Sequence, residues 1–352
     1  MGELGNLDTI PMGSAAEWHE FLDEFRSFGG RAENVMQRKG KFGMGIFPID
    51  SSKPIDLFVP LELLVPTDNI ELRDEQVAIK DDQNFPEGYS DWFLKYQKNY
   101  SWGAEGKEST LSFEKGLKAL PENIQNMLQS YGLYNPEVRF PEEDINEEIL
   151  KRFINTRCIN FKNKTVIMPI IDLVNHAPTS NPYSINDEGI AISGTYDGEV
   201  LVRYNVMDPI RRLFNYGFNA QEMTGFSLRC RFQHQDHTVI VQGGQSKSPM
   251  QPCKVIFKED KLIVQQPLLG SLRTPKLPRT LFVQGCDEVE GVNAHELFDQ
   301  IQQFNTAAFV NIIRELEEVD TETSSLLRTA CLNQIVSQSH YFGIREDILN
   351  KE

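Results

Sequence analysis

A helix-forming stretch between residues 86 and 156 separates two strand-rich stretches, and this order constrains the fold more than any other feature of the sequence. Its segments have helix length and begin at prolines or capping residues. Before it, residues 40–66 are rich in Gly, Pro and apolar residues, which is typical of short strands and turns. Because strands and helices do not alternate one by one, a doubly wound sheet is disfavoured and an α+β fold is predicted.

The N-terminal and C-terminal ends of the pattern are both helical. Residues 14–30 predict an amphipathic helix with Ser14 as its cap and Gly29 as its stop. The last 60 residues or so also predict helices. We therefore expect one domain over residues 1–220, containing the helical insert, and a mixed, mostly helical lobe over residues 221–352.

Strand patterns return after the insert. Residues 164–174 predict a strand that ends in Asn175 and His176. The runs 189–196 and 199–206 predict two more strands, joined as a hairpin by Asp197 and Gly198. A further hairpin, with a Lys-Glu-Asp centre, is predicted within residues 253–266.

Composition limits the classes of function. The net charge of −16 disfavours nonspecific binding to nucleic acid and favours basic partners, although acidic solubility alone would also explain it. No apolar run approaches the roughly 20 residues of a membrane helix, and the N-terminus lacks the regions of a signal peptide. Cytoplasm is the expected compartment, while the nucleus and secretion into a host cell remain open.

The cysteines indicate neither a disulfide framework nor a metal site. Five cysteines are scattered along the chain without a CxxC pair, which favours a reducing compartment. The nearest approach to a metal pattern is Cys230, His234 and His237. Its alternation predicts a strand followed by a turn, so no metal is expected there.

Several polar or glycine residues stand at positions suited to ligand binding. Gly43 and Gly45 form a G-x-G pair that allows close backbone approach, or simply a turn. Arg157 lies among apolar residues and needs an anion, which is either a structural salt-bridge partner or a ligand carboxylate. Asn175 suits a polar ligand group, and His176 is either a base or a structural histidine.

The order and spacing of these motifs resemble those of the SET-domain methyltransferases. The matching parts are the glycine strand, the helical insert, "TRCINF" with Arg157, "PIIDLVNH" from Pro169 to His176, and "FNYGF" from Phe214 to Phe218. The chain looks most like the class of the plant Rubisco large-subunit lysine methyltransferase and the actin histidine methyltransferase. The resemblance covers about residues 40–220 and implies a SET-type β-fold split by the insert.

The resemblance also implies a cofactor site for S-adenosylmethionine. In this family Gly43 and Gly45 would lie against the cofactor, and Arg157 would grip its carboxylate. Asn175 and His176 would contact its amino acid and adenine ends, with Asp172 supporting them.

A second set of residues would serve the methyl transfer itself. The resemblance implies that Tyr216 lies beside the transferred methyl, and that Tyr183, Tyr204 and Phe226 line the substrate channel. Phe226 stands where the family tends to have Tyr, which would remove one hydroxyl. The "DPIRR" segment after Met207 replaces the Asn that usually precedes the final motif.

The chemistry of such a site fits these residue types. Methyl transfer from a sulfonium is an in-line displacement, so positioning supplies most of the rate. The acceptor must be uncharged, whereas a free lysine has a pKa of about 10.4. A narrow aromatic channel disfavours the ammonium by desolvation while tolerating a cation on its ring faces.

We therefore expect an S-adenosylmethionine-dependent protein-lysine methyltransferase that acts on another, possibly basic, protein and needs no metal. One alternative is a SET-like binding module without catalysis. Another is a protein-histidine methyltransferase. A hydrolase using His176 and Asp172 is a third, although no nucleophile motif accompanies them.

Overall fold

The computed structural model describes residues 15–74, 76–80, 84–101, 103–135, 145–246 and 248–339. Its helices are α1 (Ala15–Ser27), α2 (Tyr89–Asn99), α3 (Gly103–Lys118), α4 (Glu122–Ser130), α5 (Ile145–Arg157), α6 (Pro209–Tyr216), α7 (Leu277–Gly285), α8 (Ala294–Glu315) and α9 (Glu322–Ser339). Short 3-10 helices span Leu61–Leu63, Thr67–Asn69 and Ile171–Leu173.

The strands fall on both sides of the insert helices. They are β1 (Arg31–Glu33), β2 (Val35–Gly40), β3 (Gly43–Pro48), β4 (Ile55–Pro60), β5 (Val65–Pro66), β6 (Ile70–Arg73), β7 (Gln76–Ile79), β8 (Cys158–Phe161), β9 (Lys164–Ile167), β10 (Asn175–His176), β11 (Ser184–Ile185), β12 (Gly189–Gly194), β13 (Leu201–Val202), β14 (Thr224–Phe226), β15 (Cys230–His234), β16 (His237–Gln242), β17 (Lys254–Lys258), β18 (Lys261–Gln265) and β19 (Leu268–Ser271). The α+β prediction is confirmed.

The described chain forms two compact units that are discontinuous in sequence. Unit 1 comprises residues up to 107, 149–176 and 181–202. Unit 2 comprises residues 108–148, 177–180 and those from 203 onwards. The insert is thus shared between the units, and the domain boundary after residue 220 stays a prediction.

Unit 1 is built from small sheets and an aromatic core. Its largest sheet is antiparallel in the order β1-β4-β12-β11, and β2 pairs with β3 as a hairpin. The apolar stripe of α1 is buried as predicted, with Phe21 stacked on Trp92 of α2 at a centroid distance of 4.8 Å. Gly29, at φ +102°, ends α1, whereas the predicted cap Ser14 lies outside the described residues.

Two strand predictions in unit 1 are wrong. The apolar run from Pro169 to Val174 forms a turn and a 3-10 helix, because Pro169 has no N–H to donate and Ile170 has φ +68°. The hairpin through Asp197 and Gly198 is absent, since β12 pairs with β4 and β11 while β13 pairs in parallel with β10. These pairings are long-range, so local alternation did not reveal them.

Unit 2 combines a four-stranded sheet, in the order β15-β16-β18-β17, with the C-terminal helices. The hairpin predicted within residues 253–266 is confirmed as β17 and β18, with Glu259 and Asp260 at positive φ in its turn. Helices α3, α4, α6, α8 and α9 share one apolar core. That core includes Leu117, Ile124, Leu213, Phe309 and Leu327.

The candidate metal residues form a hairpin corner instead. Cys230 and His234 lie on β15, and His237 begins β16 directly opposite His234. Within the described ranges, no group of three or more His, Cys, Asp or Glu side chains could hold a metal ion. All five cysteines are free thiols. None of the helices in the described part of the chain is long and apolar enough to span a bilayer.

Candidate functional site

Asn175 contacts the glycine hairpin of unit 1 across a large sequence distance. Its Nδ2 donates to the carbonyl oxygen of Met44 at 2.9 Å and to Oε1 of Glu199 at 2.7 Å. The parallel pairing of β10 with β13 places Asn175 opposite Leu201, two residues after Glu199. The half-buried amide therefore links the hairpin, β10 and the segment before β13.

Gly45 makes this contact possible because it lacks a Cβ. A Cβ on Gly45 would lie 2.4 Å from Glu199 Oε1 and 2.7 Å from Asn175 Nδ2, both far below contact distance. Gly43 differs: it has φ +93° and open space around it, so it serves the turn of the hairpin. Of the predicted G-x-G pair, one glycine accommodates polar side chains and the other shapes the backbone.

Arg157 and Asp172 form the second polar cluster of unit 1. Arg157, the last residue of α5, donates from Nη1 to the carbonyl oxygen of Asp172 at 2.9 Å. The same Nη1 lies 3.8 Å from Asp172 Oδ2. The Asp172 side chain is fully buried, whereas that of Arg157 is 28% exposed. The arginine thus has a structural partner and an exposed fraction through which another anion could reach it.

Neutral hydroxyl groups satisfy the Asp172 carboxylate. Tyr96 donates to Oδ1, and Ser101 donates to Oδ2 at 2.9 Å. The Tyr96 hydroxyl also accepts the Ile170 N–H at 3.0 Å. Burial raises the pKa of Asp172, and the Arg157 charge and these hydrogen bonds only partly oppose that shift. Burial, together with the Asp172 charge, likewise raises the pKa of Tyr96 well above its ordinary value.

The other predicted residues of unit 1 lie on short strands. His176 is buried in β10 opposite Val202. Tyr183 is half-buried and directly precedes β11. The structure therefore brings Gly45 and Asn175 together, and Arg157 and Asp172 together. The cofactor roles of all these residues stay predictions.

Tyr216 closes helix α6 of unit 2. Asp208 caps the helix by accepting the Arg211 N–H at 2.8 Å, and Pro209 follows in the first turn. Gly217, at φ +78°, ends it. These local signals, Asp-Pro at the start and Gly after the end, fix the position of Tyr216 at the C-terminus of the helix.

A buried arginine and an asparagine hold the Tyr216 side chain. The Arg212 guanidinium carbon lies 4.5 Å from the centroid of the Tyr216 ring. Arg212 Nη2 donates to Asn205 Oδ1 at 2.8 Å, and Asn205 Nδ2 donates to the Tyr216 hydroxyl at 3.4 Å. Burial raises the pKa of Tyr216, while the Arg212 charge and the Asn205 hydrogen bond lower it.

Arg212 is itself fully buried against Glu222. Its Nε donates to Glu222 Oε1 at 2.6 Å, and both side chains are at most 3% exposed. Its Nη1 is buried without a hydrogen-bond acceptor in the described structure. The charge of Arg212 is thus offset on one side by Glu222 and directed on the other toward Tyr216.

The two remaining channel candidates of unit 2 have different environments. The half-buried Tyr204 lies against Tyr216, with ring centroids 5.8 Å apart. Phe226 is fully buried at the end of β14 and packs with Leu268 and Leu281. The structure gives Phe226 a core position, and the substrate-channel roles stay predictions.

Sequence reasoning missed six residues of these clusters: Glu199, Tyr96, Ser101, Asn205, Arg212 and Glu222. Glu199 follows a glycine in a loop, where acidic residues are usually solvated, so its type carried no signal. Arg212 follows Arg211 directly. On a helix neighbouring residues face different directions, so one of two adjacent arginines on an amphipathic helix can be turned inward.

Comparison with known proteins gives matches among solved structures only. No family model matches the chain, and no curated protein does. The SET domain of LSMT bound to lysine and AdoHcy is 13% identical with a TM-score of 0.40, covering 95% of this chain and 92% of that one. Rubisco LSMT bound to AdoMet is 12% identical with a TM-score of 0.43, covering 94% and 91%. Rubisco LSMT bound to sinefungin and monomethyllysine is 13% identical with a TM-score of 0.40, covering 96% and 92%.

Proposed function

We propose that the chain is an S-adenosylmethionine-dependent methyltransferase of the SET type that transfers a methyl group to a lysine side chain of another protein. The observation that carries the proposal is the contact between Asn175 and the glycine hairpin. Asn175 contacts Met44, although the two residues are 131 positions apart in the sequence. The next residue, Gly45, has no Cβ, and this leaves the space that the Asn175 amide and the Glu199 carboxylate occupy. The motif order indicates this pair, and the contact supports it.

The polar groups of unit 1 match the amino acid end of the cofactor. The Arg157 side chain is 28% exposed, and its planar guanidinium suits a carboxylate because two of its N–H donors can pair with the two carboxylate oxygens. Glu199 and the Asn175 amide oxygen are acceptors that suit an ammonium. In this proposal Asp172 is a positioning residue: its main-chain oxygen fixes Arg157, and its carboxylate holds Tyr96 and Ser101.

Tyr216 is proposed as the tyrosine of the transfer step. S-adenosylmethionine supplies a methyl group on a sulfonium, which an uncharged amine displaces in line. With its pKa raised by burial, the Tyr216 hydroxyl stays neutral at physiological pH and can orient the amine. Asn205 donates to the hydroxyl oxygen, so the hydroxyl proton is left to point at another acceptor.

The proposed partner and compartment rest on the net charge and on the cysteine thiols. A net charge of −16 favours encounter with a basic, lysine-bearing protein. Five free thiols fit a reducing compartment, and the cytoplasm is the compartment that we propose. We propose Tyr183 and Tyr204 as the aromatic residues that the target side chain meets, and His176 as a cofactor contact. Phe226, which is fully buried against Leu268 and Leu281, lies outside this proposal.

The test is methyl incorporation from labelled S-adenosylmethionine into the proteins of a lysate. Tyr216→Phe should lower the rate by at least about 100-fold, because the hydroxyl that positions the amine is lost. Tyr131→Phe, a half-buried tyrosine elsewhere in unit 2, should leave the rate unchanged. Cofactor affinity measured by calorimetry should be the same in both variants.

Three outcomes would count against parts of the proposal. Full activity of Tyr216→Phe would remove Tyr216 from the site. No incorporation by the wild type, with cofactor or partner binding intact, would favour a binding module. Mass spectrometry that finds the methyl group on histidine would replace lysine as the acceptor.

A further inference from the structure

Strand β17 lies at one edge of the four-stranded sheet of unit 2. Among the described strands it pairs with β18 alone. The two-residue turn between them has positive φ at both positions, and Lys258 pairs with Lys261 across it. In such a hairpin the pair that closes the turn exchanges hydrogen bonds, and hydrogen-bonded pairs then alternate with non-hydrogen-bonded ones. The main-chain N–H and C=O groups of Val255 and Phe257 therefore point away from β18.

These main-chain groups form an open row along the edge of the sheet. Within the described ranges, neither Val255 nor Phe257 forms a backbone hydrogen bond on that side. A strand edge of this kind is a template on which a further strand can pair. An extended peptide that adds to it gains affinity from main-chain hydrogen bonds.

The middle of β17 also presents apolar side chains at this edge. Phe257 is 48% exposed, although it lies on the face of the sheet that packs on α7 and α8 through residues such as its neighbour Leu262. Val255 is half-buried on the same face, and Ile256 is half-buried on the opposite one. A strand laid along the edge would cover apolar surface on both faces of the sheet.

Lysines occupy both ends of β17. Lys254 and Lys258 are exposed and lie on the same face of the strand, and Lys261 is opposite Lys258. The carboxylates of Glu259 and Asp260 belong to the turn, next to Lys258 and Lys261. They offset the charge at that end, so Lys254 gives the edge most of its preference for an anion.

The lysines disfavour a second copy of this chain as the partner. In the antiparallel register that engages both Val255 and Phe257, Lys254 of one copy would lie directly opposite Lys258 of the other, at both ends of the pairing. Like charges at opposed positions are destabilising, and lysines on edge strands prevent self-association. A strand with acidic residues at these positions forms opposite-charge pairs instead.

We propose that the free edge of β17 binds an acidic, extended segment of another protein by antiparallel strand addition. Acidic side chains of that segment lie opposite Lys254 and Lys258, and an aliphatic one lies opposite Ile256. The main chain of the segment pairs with Val255 and Phe257. Because the whole chain carries a net charge of −16, an acidic partner is directed to a basic site such as this one. The site does not depend on the proposed methyl transfer.

The test uses an acidic peptide, Gly-Glu-Val-Ile-Val-Glu-Gly, with blocked termini and a fluorescent label. A basic peptide in which lysines replace both glutamates is its control. Fluorescence anisotropy of each peptide is followed while the full chain is added. The acidic peptide should bind with a dissociation constant below roughly 100 μM. It should bind at least about tenfold more tightly than the basic peptide, because only its charges oppose those of the lysines.

Methylation of single peptide nitrogens tests strand addition itself. In the antiparallel arrangement the N–H groups of both peptide valines face β17, and the N–H of the isoleucine faces away. N-methylation of either valine should weaken binding at least about fivefold, because it removes a hydrogen bond to the edge. N-methylation of the isoleucine should leave the affinity unchanged.

Variants assign the binding to β17. Lys254→Glu should weaken the acidic peptide at least about fivefold, because it turns an attraction into a repulsion. Lys258→Glu should have a smaller effect, since Glu259 and Asp260 already offset that lysine. Lys164→Glu, at an exposed lysine on β9, makes the same change in net charge and should leave the affinity unchanged. Thermal unfolding midpoints show that the variants are folded.

Four results would overturn the proposal. They are no binding of the acidic peptide, equal binding of the acidic and basic peptides, equal losses on methylation of valine and isoleucine, and equal losses in Lys254→Glu and Lys164→Glu. Equal methylation losses would reduce the contact to charge attraction, which any polyanion could make.

A second copy as the occupant would also contradict the proposal. Sedimentation would then show self-association of the chain that the acidic peptide reverses. Each measurement is made without methyl transfer, so the proposed strand addition and the proposed function can fail separately.

Discussion

Each unit contains an arginine next to a buried carboxylate, but the two pairs are built differently. Arg157 Nη1 lies 3.8 Å from Oδ2 of the Asp172 carboxylate, and the Arg157 side chain is 28% exposed. The neutral hydroxyls of Tyr96 and Ser101 donate hydrogen bonds to that carboxylate. Arg212 lies 2.6 Å from Glu222, and both side chains are at most 3% exposed. The first arrangement keeps the arginine accessible to an external anion, whereas the second uses the arginine internally to hold Tyr216.

The difference between the two pairs shows that burial determines whether a charged side chain supports the structure or binds a ligand. A buried ion pair contributes little net stability, because desolvation offsets the attraction, yet removing one partner leaves an uncompensated charge. Such a pair is a rigid support. A partly exposed arginine pays less desolvation and retains donors for a ligand, so it is suited to binding.

Glu222→Ala should produce the largest effect. It leaves the Arg212 charge buried without its partner, and the free energy of unfolding should fall by about 3–5 kcal/mol. Glu71→Ala breaks the exposed pair with Arg73, whose side chains are 39% and 42% exposed, and should cost at most about 1 kcal/mol. Urea unfolding measures both. Equal losses would erase the distinction between an internal and an exposed pair.

Arg157→Ala should weaken S-adenosylmethionine binding by about 1.5–3 kcal/mol, the size of a hydrogen bond to a charged group. Lys164→Ala, an exposed cation on β9, is the matched control and should leave the affinity unchanged. Calorimetry gives the affinities, and unfolding curves give the stabilities. If Arg157→Ala lowers stability but binds the cofactor normally, Arg157 has only the structural role that its contact with Asp172 provides.

Asn205→Ala should produce the smallest effect, which is a change in the pKa of the Tyr216 hydroxyl. The hydrogen bond from Asn205 lowers the pKa of Tyr216, so its loss should raise that pKa further and move phenol ionisation to higher pH. The change in absorbance at 295 nm during alkaline titration, with the Tyr216→Phe curve subtracted, reports it. An unchanged pKa of Tyr216 would show that Asn205 does not act on the hydroxyl. The hydroxyl stays protonated at neutral pH in both proteins.

The sequence predicted those parts of the fold that depend on local signals. The stripe of α1, the helices of the insert and the β17–β18 hairpin each carry periodicity, caps or turn residues within a few positions. The strand predicted through Pro169 and Ile170 is wrong, because an apolar run does not show whether its backbone N–H groups pair with a sheet. The parallel pairing of β10 with β13 was equally invisible, being set by long-range contacts.

The candidate site was only partly predictable for a similar reason. The motif indicates Asn175 and Gly45. Glu199, which completes their contact, lies in the loop before β13, although the alternation of residues 199–206 predicts a strand there. In the sequence, the "DPIRR" segment is only a departure from the pattern of the SET-domain methyltransferases. In the structure it caps α6 through Asp208 and places Arg212 beneath the Tyr216 ring. Burial determines the role of a charged side chain, and the residue type alone does not predict burial.

The discontinuity of unit 2 has a consequence for synthesis of the chain on the ribosome. Helices α3 and α4 bury their apolar faces in a core shared with α8 and α9. Helix α4 ends at Ser130 and α9 begins at Glu322, which is 192 residues later (322 − 130). At a synthesis rate of roughly 5–20 residues per second, α4 is made on the order of 10–40 s before its last partner. During that interval the nascent chain carries an apolar surface that chaperones can bind, so its folding efficiency depends on the cell that makes it.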